Sequence, residues 1–185
     1  HNIFDVVSSP KPENKEMESL SYEELASLLD ACKRSPIGAY ISMIAFGGTR
    51  KSEARGLRWR DVDQTTGDVY IQKVSKFVNH KGWLYTDPKT KGSRRKLELD
   101  PTIDTFGMLV GLRVIKNSEL PDGQTVDEND LIFTYPDGQP WGDKYIKNRF
   151  DELLADAGIT RKGINIHTLR HTYATLNIQH DDIKN

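Results

Sequence analysis

The sequence lacks most of the features that would tie it to a membrane or an oxidising compartment. Cys32 is the only cysteine among 185 residues, so no internal disulfide can form, and a reducing cytoplasm fits best. Long apolar runs are missing: "YISMIAF" falls far short of the roughly 18 residues that a membrane span needs. A signal-peptide layout is missing too, because "KPENKEMES" is polar and charged where an apolar segment is required. Charge of one sign is not in excess either. The 26 Lys and Arg face 27 Asp and Glu, a net charge of −1, which argues mildly against a nucleic-acid binder. The chain begins at His1 and not at a methionine, which reads as a piece excised from a longer protein.

What is present is the balance of one ordinary globular domain, with 36% hydrophobic and 29% charged residues. Net charge hides patches. "RKSEARGLRWR" carries five basic residues against one Glu, and "KTKGSRRK" is basic with no acid, while acids gather in "PENKEMESLSYEE" and "DELLAD". Such runs are either solvated faces or a phosphate-binding surface.

Ser8 to Ser19 is rich in Pro, Ser and charge and reads as a linker or arm, so residues 1–19 are set apart from a domain over 20–185. Ser21 and Glu24 make a capping box, and Leu25, Leu28, Leu29 and Cys32 then share a helical face. A second helix is predicted from about Pro36 to the Gly47-Gly48 pair, and Thr49 is placed to cap a short third helix, "RKSEARGL". "GDVYIQKV", "GWLYT" and "RKLELD" alternate as strands of one small antiparallel sheet. Ile103, Phe106 and Val110 mark another helix. "LIFTYPDGQPW" reads as a strand leaving through a Pro-Asp-Gly turn. Ile146, Phe150, Leu153 and Leu154 mark a helix stopped at Gly158, and "IHTLRHTYATL" forms the last one. The fold class is mainly α with a small antiparallel β-sheet, α+β.

On the last helix, His167 shares a face with both Arg170 and His171. Two histidines four apart invite a zinc reading, but Thr168 stands where metalloproteases carry Glu, and no third ligand is evident nearby. Arg50 follows a glycine pair at a helix start, a place of positive backbone potential, so it requires an anionic partner. Glu53, three residues on, can supply it. Lys89, with Lys91 close by, sits in a connection between strands where an amine could reach a ligand.

Taken in order, these segments resemble the catalytic domain of the tyrosine recombinases, the phage integrase family. "GTRKSEARGLRWRDVD" looks like the family's first box, "PKTKGSRRKLEL" is similar to its lysine hairpin, and "IHTLRHTYATL" matches its His-x-Leu-Arg-His box. "SLSYEELASLLDA" resembles the domain entry, so the likeness runs from about Ser19 onward. The resemblance implies the DNA breaking-rejoining fold and attack of a tyrosine on a backbone phosphate, giving a 3′-phosphotyrosine and a free 5′-hydroxyl, with no metal and no cofactor. It assigns Arg50 and Arg170 to the non-bridging phosphate oxygens, where planar guanidiniums suit the charge. It matches Lys89 to the general acid that protonates the leaving oxygen, with Lys91 as rival, and His167 to the nucleophile's proton or the phosphate. Glu53 and His171 are supporting residues.

The expected partner is double-stranded DNA at a recombination site, with a tetramer on DNA for the full-length parent and a monomer for this piece. The expected location is cytoplasmic, at the nucleoid. The family carries a further His or Trp and then its nucleophilic Tyr beyond the last box. His180 comes too early for the former, Tyr173 is a poor substitute for the latter, and the other tyrosines precede the box. The domain therefore reads as C-terminally incomplete and unable to cleave DNA alone. The competing readings are a non-catalytic DNA-binding or regulatory protein on the same fold, and an unrelated phosphate or metal enzyme using His167 and His171.

Overall fold

A computed structural model describes residues 19–88, 94–97, 99 and 102–173. Its helices are α1 (Tyr22–Lys33), α2 (Gly38–Ala45), α3 (Lys51–Arg55), α4 (Thr105–Ser118), α5 (Asp143–Asp156) and α6 (residues 166–173). Its strands are β1 (Val69–Ile71), β2 (Val74–Val78), β3 (Gly82–Thr86) and β4 (Arg95–Leu97). The architecture is mostly helical with small antiparallel pieces, as the sequence pattern predicts. The arm before Ser19, together with Lys89, Lys91 and His180, lies outside the described residues.

α1 starts where the capping box requires. The Glu24 N–H donates to Ser21 Oγ at 3.2 Å, and the Ser21 N–H donates to Glu24 Oε2 at 2.8 Å. Leu25, Leu28 and Cys32 are buried, but Ala31 replaces Leu29 on the buried face. Burial pushes the Cys32 thiol up to about 12, so it packs as an inert apolar group. α2 has no polar face because it runs through the centre: every residue from Gly38 to Ala45 is buried. It packs between α1 and α4 and also touches α3, while α1 rests on α5. Tyr40 is walled by Phe133 at 5.1 Å and Trp141 at 6.0 Å, ring centre to ring centre. The α5 face is as expected, with Ile146, Phe150, Leu153 and Leu154 buried and Gly158 at φ 71 beyond its end.

Four local expectations are corrected. The expected single sheet is two separate two-stranded pieces, β1 with β4 (Val69 opposite Leu97) and β2 with β3 (Val74 opposite Thr86). The break falls at Gln72 and Lys73, where the end of α3 presses on the chain. A Cβ on Gly56 would lie 2.9 Å from the Lys73 carbonyl oxygen. In α4 the buried apolar anchor is Leu109, and Val110 points outward. Residues 131–141 form no regular strand, only the bridges Arg58 to Leu131 and Thr134 to Pro140 around the expected turn at Gly138, φ 80. Thr49 does not cap α3: its hydroxyl donates to the Met43 carbonyl at 2.9 Å and closes α2 instead.

Candidate phosphate-binding site

The segment from Gly48 to Lys51 is held from three sides. Thr49 binds back to α2 through Met43, the Tyr40 hydroxyl donates to the Lys51 carbonyl at 3.0 Å, and Arg170 Nη1 donates to the Gly48 carbonyl. Gly48 is required here. Its φ is 59, and a Cβ would meet the Tyr173 ring at 2.5 Å. The central helix thus fixes where Arg50 stands.

Arg50 is the N-cap position of α3 and has no capping side chain of its own. Glu53 performs that service by accepting from the Arg50 N–H at 2.9 Å, and it also takes Arg50 Nη1 at 2.7 Å. The anionic partner that Arg50 requires is therefore Glu53. The same buried carboxylate accepts from Arg95 Nη2 at 3.0 Å and Nη1 at 3.4 Å. Burial pushes the Glu53 carboxyl up, but hydrogen bonds from Arg95 and Arg50 outweigh it and hold the group below its usual range. Arg95 is a residue that local sequence patterns do not reveal. It opens β4, on the far side of the 89–93 connection that carries Lys89, and its contact with Glu53 spans 42 positions. Its only sequence signal is the strand alternation in "RRKLEL", which faces it inward.

α6 is capped by Asn165, whose side-chain oxygen accepts from the N–H groups of His167 (2.9 Å) and Thr168 (3.3 Å). Thr168, Leu169 and Thr172 are buried, and Thr172 Oγ1 receives the Leu20 N–H at 3.0 Å, tying the helix to the start of the domain. Burial of that face turns His167, Arg170 and His171 to the opposite side.

There they meet Arg50. A cleft of about 360 Å³ is lined by Thr49, Arg50, Lys51 and Ser52 from one side and by His167, Arg170 and His171 from the other. Burial, and then the like charge of Arg50, push the Arg170 guanidinium below its usual range. Two guanidiniums lining one cleft and repelling each other are an unfavourable pair that an anion relieves. Lys51 and Ser52 also line this cleft, and motif spacing alone did not single them out. Of the sequence-based candidates, Arg50, Glu53, His167, Arg170 and His171 are brought together, while Lys89 and Lys91 fall outside the described residues.

Comparison with known proteins places this chain in a family. The chain is 28% identical to a XerC-like tyrosine recombinase of Caldanaerobacter subterraneus over 186 residues, covering 92% of this chain and 46% of the relative. It is 25% identical to the tyrosine recombinase XerH of Campylobacter jejuni, covering 86% of this chain and 40% of that protein. The chain thus spans about half the length of the curated relatives it matches. Among solved structures, the Tn1549 transposon integrase in complex with transposon right end DNA superposes with a TM-score of 0.73 at 18% identity, covering 91% of this chain and 55% of that one. At that identity the likeness speaks for the fold. Residues 18–184 match the phage integrase family, and the chain belongs to it.

Proposed function

We propose that the chain is the phosphate-activating part of a site-specific DNA recombinase, which acts by transesterification through a 3′-phosphotyrosine. The observation that carries this reading is the cleft that Arg50 and Arg170, close enough to repel, line together with His167 and His171. Arg50 and Arg170 bind the non-bridging oxygens of one backbone phosphate and meet the charge that grows there in the pentavalent transition state. Glu53 orients Arg50 and Arg95 and does not touch the phosphate. His167 bonds the phosphate or takes the nucleophile's proton. His171 supports the helix face, and Lys89 protonates the leaving 5′-oxygen. The Tn1549 integrase described in complex with transposon right end DNA and the XerH site-specific recombinase described bound to difH substrate support DNA as the partner, here taken as double-stranded.

None of the seven tyrosines in the sequence is assigned as nucleophile. Tyr173 packs its ring over Gly48, which gives it a structural task. A nucleophilic tyrosine from outside these 185 residues, in cis or from a neighbouring protomer, would complete the site. The 185 residues alone are monomeric, and a full-length recombinase carrying them would assemble as a tetramer on DNA. The test is incubation with nicked duplex DNA followed by denaturing electrophoresis. The 185-residue chain is expected to form no covalent adduct, and a Tyr173-dependent adduct contradicts the assignment. In a longer, cleavage-competent protein, Arg50→Ala or Arg170→Ala is expected to lower the cleavage rate by about 10²–10³-fold. An unchanged rate contradicts the roles given to the two arginines.

A further inference from the structure

A second cleft, about 610 Å³, lies beside the phosphate cleft and shares Lys51 and Ser52 with it. One wall is the β2–β3 hairpin, where Phe77 and Trp83 meet edge to face at 5.4 Å and Phe77 stays largely uncovered. The facing wall is the turn before α5, with Tyr135 and Pro140. Arg55 and Ser75 also line it, and both are more than nine-tenths buried. The Arg55 guanidinium lies over the Trp83 ring at 4.9 Å and gives Nη2 to Asp143, yet its Nε has no hydrogen-bond partner. The Ser75 hydroxyl makes no hydrogen bond of normal geometry, only a weaker interaction with the Tyr85 hydroxyl opposite it in the hairpin register. Buried donors without acceptors are costly and rare. Arg55 Nε without an acceptor, and Ser75 Oγ with only that weak contact, in a cleft of ligand-binding size point to a missing ligand that carries acceptors.

We propose that this second cleft is a nucleobase slot. It takes one unpaired base of the strand whose backbone phosphate lies between Arg50 and Arg170. The inference rests on the phosphate reading of the first cleft. A base has flat apolar faces for the aromatic walls, and ring carbonyls and nitrogens to accept from Arg55 Nε and Ser75 Oγ. An apolar side chain from a protein partner would fill the walls but leave both donors unmet. Lys51 and Ser52 border both clefts, so a phosphate in one sets its neighbouring nucleotide beside the other. Lys51, Arg55 and Lys76 outnumber the single acid, Asp143, around the slot. In a strand-exchange reaction, such a slot would hold the nucleotide that unpairs next to the break.

The test compares two labelled single strands of equal length by fluorescence anisotropy at low salt: tetrathymidylate, and an abasic strand with the same phosphates. The wild-type chain is expected to bind tetrathymidylate about tenfold more tightly, the increment of one stacked base. Trp83→Ala and, separately, the exposed Phe77→Ala are expected to bring tetrathymidylate down to the abasic affinity and leave the abasic strand unaffected. Circular dichroism checks that each variant is folded. Equal binding of both strands by the wild type overturns the slot and leaves the phosphate reading standing. Binding of neither strand overturns both. A base preference that survives both substitutions puts the base elsewhere and overturns the slot. So does an absent preference joined to a self-association that the substitutions abolish, which would give the cleft to a protein partner.

Discussion

Two carboxylates, Glu53 within α3 and Asp143 at the start of α5, are built in inverse ways. Glu53 is 1% exposed, and the cations around it are open, with 54% of the Arg50 side chain and 28% of the Arg95 side chain accessible. Asp143 is 68% exposed, and the cation it answers, Arg55, is 5% exposed. Lys51 adds a looser contact to Asp143 at 3.2 Å. When a paired ion is removed, the cost depends on the member left behind: an exposed cation rehydrates, and a buried one does not. The phosphate cleft therefore keeps its positive charge ready for a ligand, held in place by a buried acid. Beside the second cleft, an exposed acid secures a buried cation as part of the packing.

The largest stability effect is expected at the exposed acid. Asp143→Ala strands the buried Arg55 guanidinium and should lower unfolding stability by about 2 kcal/mol, a value below that of a fully buried pair because water reaches Asp143. Urea denaturation measures this, and a loss no greater than that of Glu53→Gln would undo the comparison. Glu53→Gln should cost about 1 kcal/mol, because Arg50 and Arg95 can turn to water. The same change removes the negative charge beside Arg50, so affinity for inorganic phosphate should rise. Calorimetric titration checks the sign.

Acid titration separates the two acids further. At Glu53 burial raises the pKa, but the arginine hydrogen bonds outweigh it; at Asp143 burial likewise raises it, and Arg55 outweighs it. Both carboxyls are thus held below their ordinary values of 4.5 and 3.8. A depressed carboxyl binds fewer protons folded than unfolded. Its contribution is complete above the ordinary value and is lost as pH falls through the folded one. Urea midpoints should therefore begin to fall below about pH 4.5, with Glu53→Gln flattening the upper part of that decline and Asp143→Asn the lower part. The smallest effect is expected from Lys51→Gln, under about 0.5 kcal/mol, because its partner Asp143 is open to water.

The comparison also shows what a sequence can carry. Arg50, Glu53, His167 and Arg170 were legible because each pair lies within one helical turn and the motif spacing brings it onto one face. The Ser21–Glu24 box and the buried face of α5 were legible for the same local reason. Arg95 was not, because it reaches Glu53 only when β4 is set against α3. The splitting of the sheet was equally hidden, since it depends on Gly56 pressing on the backbone at Lys73. Thr49 does not act as the cap its position suggests, because a threonine before a helix has two local hydrogen-bonding choices and the end of α2 claims it. Val110 turned outward because Leu109 is the buried anchor of α4, a helix that packs against α2.

The central claim is that Arg50 and Arg170 grip one DNA phosphate together. The most direct measurement is the salt dependence of duplex DNA binding for the wild type and for Arg50→Gln with Arg170→Gln. If the claim holds, the double variant binds more weakly at every salt concentration, and its plot of log affinity against log salt is shallower by about one unit, the share of one released counterion. Affinity and slope both equal to those of the wild type would contradict it.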